Sequence, residues 1–264
     1  RPGSLRGCAT SLQSSSDEKC GLGTRPGAFH SLHRAWAPSG HVREPRGRLS
    51  PGAAGGALLL ALLCPLVRAE RVQVSADFQS GDLSGWTVPK AEDWGIAAKG
   101  ANRFLRLRKE GVIGEPRRPL QYALRKDLCV GDFDLRVKVR RTGKSMMIAF
   151  GYQDTLHFYY AHISADPGSH AVHNGLFQVN GGERFRIAGQ GSDPVLPDQN
   201  WHEIRLVRRV AGGEIEMWVD RDREPRFRHR DSSFQFGRIG LGSFNETGDF
   251  DDFHLEGQRS SECR

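Results

Sequence analysis

The chain has 264 residues and a formal net charge of +7, which is enough length for one large domain or two small ones. The charge is uneven: residues 1–69 hold nine Lys and Arg against three Asp and Glu, whereas residues 70–264 hold 29 against 28. Binding of nucleic acid needs a concentrated positive surface, and the nearly neutral body argues against that class of function. We therefore expect no nucleic-acid partner.

The first feature in chain order is a leader. Residues 1–47 are rich in Arg, Gly, Ser and Pro without an apolar period, which predicts disorder or an over-extended upstream reading. Residues 48–69 follow as a signal peptide, with the apolar run 57–64 and a cleavage site after Ala69. This run is far shorter than the roughly 20 residues that span a bilayer. We expect a secreted or periplasmic protein without a membrane anchor. Two other interpretations of the apolar run are a short buried helix and a lipoprotein site at Cys64, which ends the run.

The body, residues 70–258, is built from short segments in which apolar and polar residues alternate. In "DFDLRVKVRR" the residues Phe133, Leu135, Val137 and Val139 alternate with charged ones, which is typical of a strand with one buried face. "HEIRLVRRVAGGEIEMWVD" predicts a hairpin. About a dozen such strands without a helical period favour a single all-β domain, a β-sandwich or jelly roll. A short tail, residues 259–264, follows it.

Two cysteines, Cys129 and Cys263, lie beyond the predicted cleavage site. In an oxidising compartment two cysteines can form a disulfide, and this pairing would tie down the C-terminal tail. Disulfide formation requires a specific separation and orientation of the two side chains, which the sequence does not supply. Pairing and two free thiols both stay open at this point.

Three stretches carry a resemblance to a known superfamily. "ADFQSGDLSGWTV", "VGDFDLRVKVR" and "WHEIRLVRRVAGGEIEMWVD" with "GRIGLGSFNETGDFDDFHLEG" resemble the concanavalin A-like lectin/glucanase superfamily, in particular its laminin-G-like and 3-keto-disaccharide hydrolase types. The resemblance implies a jelly-roll β-sandwich of two antiparallel sheets, with the last strand beside the first. It also implies a structural calcium ion held by Asp77, Asp251 and Asp252, with Asp249 nearby. A solvated acidic turn is the alternative, and we expect no other cofactor.

Histidine and tyrosine are concentrated in residues 152–173, which hold three of the four tyrosines and four of the seven histidines that follow the leader. Strand alternation places Tyr160 and His162 on one face. Aromatic rings can stack on sugars, and polar side chains can bind sugar hydroxyls. We therefore predict a carbohydrate-binding surface made by Gln153, Asp154, Tyr160, His162, His170, His173, Asn174 and Arg186.

Two other functions remain open for the same cluster. In the first, an enzyme that degrades polysaccharide uses Tyr160 and His162 as catalytic base and acid, with Arg184 or Arg186 neutralising a uronate in a lyase. In the second, the cluster only packs a structural adhesion module. Glu214 and Glu216 do not indicate a glucanase, because the third carboxylate of that motif is missing. The imidazoles of His162, His170 and His173 also suit zinc as ligand types.

Overall fold

A computed structural model describes residues 70–170 and 173–263. The predicted disordered segment and the predicted signal peptide lie outside the described residues. Within the described ranges the chain forms β-strands and one 3-10 turn at Ala91–Asp93, and none of its helical structure is long and apolar enough to cross a membrane. The strands are β1 (Arg71–Ala76), β2 (Trp86–Thr87), β3 (Trp94–Lys99), β4 (Asn102–Leu107), β5 (Ile113–Gly114), β6 (Arg118–Pro119), β7 (Gln121–Arg141), β8 (Ser145–Asp154), β9 (His157–Ser164), β10 (Gly175–Asn180), β11 (Phe185–Ala188), β12 (His202–Arg209), β13 (Glu214–Val219), β14 (Phe227–Arg230), β15 (Gly237–Ser243) and β16 (Gly248–Arg259).

The strands form two layers that share the long strand β7. Residues 121–130 of β7 pair with β15, which continues through β8, β9 and β10 to β11; we call this the first layer. Residues 133–141 pair with β12 on one side and β16 on the other, in a second layer that runs from β14 to β3. Asp127, within the part of β7 that pairs with β15, has a φ of 53°, a left-handed conformation that Asp tolerates.

The inner faces of both layers meet in one hydrophobic core. Alternation decides which residues enter it: Leu135, Val137 and Val139 of β7 are fully buried, whereas Arg136 and Lys138 between them are exposed. The first layer contributes Ile148, Phe150, Tyr159, Ala161 and Leu241, and the second contributes Ile204, Leu206, Met217, Phe250 and Leu255. The all-β prediction, a jelly roll of antiparallel strands, is confirmed.

The two ends of the described chain lie side by side. β1 pairs antiparallel with β16, with Ala76 opposite Phe253, as the resemblance implied. Cys129 and Cys263 form a disulfide across 134 residues, with their Cα atoms 5.8 Å apart. Beside it, the backbone N–H of Ser260 donates to the carbonyl of Cys129 at 2.9 Å. The segment that follows β16 is therefore attached to β7 by a covalent bond and a hydrogen bond.

Candidate functional site

Strand β9 displays its predicted tyrosines on opposite faces. Tyr159 packs inward, stacked on Phe150 at a ring-centroid distance of 5.3 Å. Tyr160 points to the outer face of the first layer, together with Phe158 and His162. Tyr159 therefore belongs to the core between the layers, and Tyr160 belongs to the opposite face of the strand.

The outer face of the first layer carries a patch of aromatic rings, which we call the aromatic face. Tyr160 stacks on Phe177 of β10 at 5.2 Å, and Phe158 lies 6.0 Å from Tyr160. Tyr152 lies 5.5 Å from Phe158 and 5.2 Å from Tyr122 of β7. These centroid distances are typical of favourable aromatic pairs. Strands β7, β8, β9 and β10, with β15 between β7 and β8, therefore contribute one continuous set of rings.

An arginine lies over one end of the aromatic face. The guanidinium carbon of Arg184 is 4.1 Å from the ring centroid of Phe244 and 4.9 Å from that of Phe177. Its Nη1 donates to the Tyr160 hydroxyl at 2.8 Å. Arg117, from the β5–β6 hairpin, lies 5.1 Å over the Phe244 ring, and its carbonyl accepts from the Arg184 backbone at 3.0 Å. Cation–π contacts and the hydrogen bond hold this guanidinium in one place.

Burial changes the role of the predicted Tyr/His pair. Tyr160 is 0% exposed and His162 is 2% exposed, whereas the prediction put both on an accessible face. Burial raises the pKa of the Tyr160 hydroxyl although the charge of Arg184 acts in the opposite direction. The tyrosine therefore keeps its proton at neutral pH. A general base must lose that proton, so the geometry does not favour a catalytic Tyr160.

The remaining predicted residues separate into two groups. His170 is exposed and His173 half-buried, and their rings lie 5.8 Å apart near His162. Gln153 and Asp154 are at the β8–β9 turn, at the other end of β9, which is about 20 Å away at the usual rise per residue. The structure places the two groups at opposite ends of β9, and their joint role in one site stays a prediction.

Asn174 and Arg186, two of the predicted binding residues, make hydrogen bonds within the chain. The Asn174 amide oxygen accepts from the backbone of Ser164 at 3.1 Å, and its nitrogen donates to the carbonyl of Asp193 at 2.6 Å. Asn174 is fully buried with a φ of 55°, a conformation that asparagine adopts more readily than most residues. Arg186 donates to backbone carbonyls of the loop before β10. Both residues therefore shape the β9–β10 loop.

The acidic residues predicted to hold calcium each have a partner within the chain. Asp252 pairs with Lys138 at 2.7 Å, and Asp251 accepts from the Asn102 amide at 2.8 Å. Asp77 accepts from the backbone of Gln79 and is exposed. Burial raises the pKa of Asp251. These contacts do not test calcium binding, which stays a prediction that a calcium titration of chelator-treated protein can check.

One group of three potential metal ligands occurs in the part of the chain that the structure describes, and it is not the predicted one. Asp166, His170 and His173 each offer a ligand atom, and these atoms lie within 4.8 Å of one another. Asp166 was not predicted, and His162 lies outside the group. A signal was available, since Asp166 and both histidines fall within eight residues of one loop.

A separate groove lies on the second layer. It has a volume of about 650 Å³ and its polar lining comes from β1, β7, β12 and β16. Arg71, Asp132, Asp134, Arg209 and Glu256 line it, so charges of both signs face the same space. The groove offers hydrogen bonds, but its one aromatic residue, Phe133, is only 2% exposed. A sugar ring would find no stacking surface there.

Comparison with known proteins shows the fold. No protein-family model matches the chain, and no curated protein matches it in sequence. A mutant of the GH43 protein BlXynB from Bacillus licheniformis is 14% identical with a TM-score of 0.51, over 69% of this chain and 39% of that chain. The carbohydrate binding module CBM66 from Bacillus subtilis is 17% identical with a TM-score of 0.49, and the match covers 66% of this chain and 96% of that module. Winged bean acidic lectin, complexed with methyl-alpha-D-galactose, is 9% identical with a TM-score of 0.47, and the match covers 73% of this chain and 100% of the lectin chain.

The similarity shows the fold alone. At such low identities a shared jelly roll does not transfer a ligand or an activity, because unrelated functions occur on one fold. The chain thus has a jelly-roll fold of antiparallel strands. What it binds has to be argued from its own side chains.

Proposed function

We propose that this protein binds carbohydrate at the arginine-covered end of the aromatic face. The observation that carries the proposal is the fixed guanidinium of Arg184, held over Phe177 and Phe244 and bonded to Tyr160. The outer face of an antiparallel sheet is ordinarily polar, and this one is built from aromatic rings. The rings provide a rigid base for the Arg184 guanidinium, and a guanidinium is a planar group that can donate two parallel hydrogen bonds.

The ligand contacts the accessible groups around this guanidinium. Arg184 and His173 are half-buried, and His170 and Arg117 are exposed. Guanidinium and imidazole groups bind sugar hydroxyls, and the two arginines favour a sugar that carries a carboxylate, such as a uronate. Tyr160 lies beneath and acts as a positioning residue for Arg184. Acidic oligosaccharides are therefore the preferred ligand class.

The finer assignments from the sequence belong to the same proposal. We infer a laminin-G-like or 3-keto-disaccharide hydrolase type of domain that is exported to the periplasm or the cell exterior and that holds a structural calcium ion. The disulfide between Cys129 and Cys263 supports export, because such bonds persist in oxidising compartments.

An enzyme that degrades polysaccharide is the alternative. Its support is the contact between Arg184 and Tyr160. A uronate lyase needs such a pair, with the tyrosine as the proton-transferring group and the arginine to neutralise the uronate carboxylate. The raised pKa and full burial of Tyr160 count against it. A glycosidase at Glu214 and Glu216 has less support, because each carboxylate pairs with an arginine of β14, at 2.9 Å and 2.6 Å. Binding without turnover is the expected result.

Replacement of Arg184 by glutamine is expected to weaken carbohydrate binding by roughly 10- to 100-fold. Loss of charge-assisted hydrogen bonds of about 1.5–3 kcal/mol gives a change of that size. A glycan array that includes uronate oligomers identifies the ligand, and isothermal titration then compares the variants. Arg205→Gln is the matched control, because Arg205 also lies over an aromatic ring, Trp218, at 4.9 Å, but on the second layer.

Three results would overturn the proposal. An affinity lost in Arg205→Gln and kept in Arg184→Gln would move the site to the second layer. No binding across the array would favour the structural adhesion module. Unsaturated product formed from uronate polymers, followed by its ultraviolet absorbance, would show a lyase.

The substitution Tyr160→Phe tests the positioning role. It keeps the ring that stacks on Phe177 and removes the hydroxyl that accepts from Arg184. We expect the free energy of unfolding to fall by about 0.5–1.5 kcal/mol, the usual contribution of one hydrogen bond. We also expect carbohydrate affinity to fall less than in Arg184→Gln. An affinity as low as that of Arg184→Gln would mean that the hydroxyl itself contacts the sugar.

A further inference from the structure

The β9–β10 loop brings Asp166, His170 and His173 together in an arrangement that carbohydrate binding does not require. His173 Nδ1 lies 2.5 Å from a carboxylate oxygen of Asp166, and the rings of His170 and His173 are 5.8 Å apart. One ligand atom from each of the three residues lies within 4.8 Å of the others. A metal ion at 2.0–2.2 Å from each atom requires ligand separations of this order or smaller.

The described residues of this loop are held by contacts that do not involve these three side chains. The Nη1 of Arg186 is 2.8–2.9 Å from the carbonyl oxygens of Gly168, His170 and His173, and 3.4 Å from that of Asn174. The Arg186 guanidinium thus binds backbone carbonyls both before His170 and after His173. A ligand set on a pre-organised loop loses less conformational freedom when a metal ion binds.

Asp166 is placed by the strand before the loop. Its backbone N–H donates to the Ser164 hydroxyl at 3.0 Å, and Ser164 is the last residue of β9. Its side chain is about one-fifth exposed and that of His173 about one-third, while His170 is exposed. An ion bound here would have ligands on one side and solvent on the other.

The donor types select the metal. Two imidazoles and one carboxylate are a typical ligand set for zinc with an open coordination position, whereas calcium takes six to eight oxygen ligands. The close contact between His173 and Asp166 already places an imidazole nitrogen beside a carboxylate oxygen, which are two ligand types that zinc takes. The nearby positive charge of Arg186 is compensated in part by the carbonyl dipoles that it binds.

From this arrangement we propose that Asp166, His170 and His173 bind one zinc ion whose remaining coordination position faces solvent. The site is next to the aromatic face, since the ring of His173 lies 5.8 Å from that of His162. Zinc binding does not depend on the proposed carbohydrate function and is measured without any sugar.

The test uses untagged protein that has been treated with chelator and desalted. Isothermal titration with zinc chloride should show one ion per chain, and calcium chloride at the same concentrations should not compete. His170→Ala should lower the zinc affinity at least about 10-fold. Removing a group that only hydrogen-bonds to a metal ligand already has an effect of that size, and His170 is itself a proposed ligand. His170 is exposed, so the variant should fold. Zinc should raise the Tm of the wild type and not that of the variant.

The control is His157→Ala. His157 Nδ1 contacts both carboxylate oxygens of Asp154 at 2.9 Å. This is also a histidine–aspartate pair, but neither residue belongs to the group of three potential metal ligands. This variant should bind zinc like the wild type. Equal zinc affinity in His170→Ala and the wild type would overturn the proposal, as would the absence of saturable zinc binding or displacement of zinc by calcium.

Discussion

Replacing Asp249 by asparagine is expected to lower the free energy of unfolding by about 3–5 kcal/mol. Asp249 is 0% exposed, and its two oxygens lie 2.7 Å from Nε of Arg106 and 2.6 Å from Nη2 of Arg140. Asparagine keeps the shape but removes the charge. The Arg140 side chain is only 15% exposed, so water cannot fully replace the lost carboxylate. The loss of stability comes mainly from the largely buried Arg140 guanidinium, which no longer has a negative partner.

Asp252→Asn is the matched control on the same strand. Asp252 pairs with Lys138 at 2.7 Å, but both side chains are about half exposed. Exposed pairs of this kind contribute about 0–1 kcal/mol. Asparagine also tolerates the φ of 47° found at this position. Urea denaturation of both variants gives the comparison, and equal losses for the two would contradict the expected importance of the buried pair.

Removal of the disulfide is the second large effect. We expect the double variant Cys129→Ser, Cys263→Ser to lose about 2–4 kcal/mol, which is roughly 5–15 °C in Tm for a domain of this size. The bond joins residues 134 apart, so its loss greatly increases the freedom of the unfolded chain. It also releases the segment after β16 from β7.

Reductant provides the control for this variant. Cys129 is 7% exposed, so a serine there adds the cost of a buried hydroxyl to that of the missing bond. Wild-type protein treated with dithiothreitol loses the bond without that cost, and its Tm should fall to, or slightly above, that of the double variant. The variant itself should not respond to reductant. An unchanged melt of the reduced wild type would show that β16 pairing alone holds the segment.

The strands were predictable because their signal is local. In β7 the buried Leu135, Val137 and Val139 alternate with exposed residues, and a repeat of two can be read without knowing the partner strand. The hairpin of β12 and β13 was predictable for the same reason, and Leu206 lies opposite Met217 as an alternating pattern requires. The jelly roll follows from many such strands with short turns.

The candidate site was predicted only in part, because burial depends on residues far along the chain. Alternation correctly put Tyr160 and His162 on one face of β9. It did not reveal that Arg184, 24 residues from Tyr160, lies over that face. Sequence proximity also grouped Asp154 with His170, although β9 separates them.

The sequence by itself determined the class of fold, the faces of each strand and the enrichment of His and Tyr in one region, because each of these is expressed within a few neighbouring residues. Only the tertiary structure decided which outer face is covered, that Asn174 and Arg186 serve the loop, and that Asp166 joins His170 and His173. The pairing of Cys129 with Cys263 was likewise decided only there. These features depend on distances between strands and loops that alternation does not encode, since a period of two specifies a direction for each side chain but not what it meets.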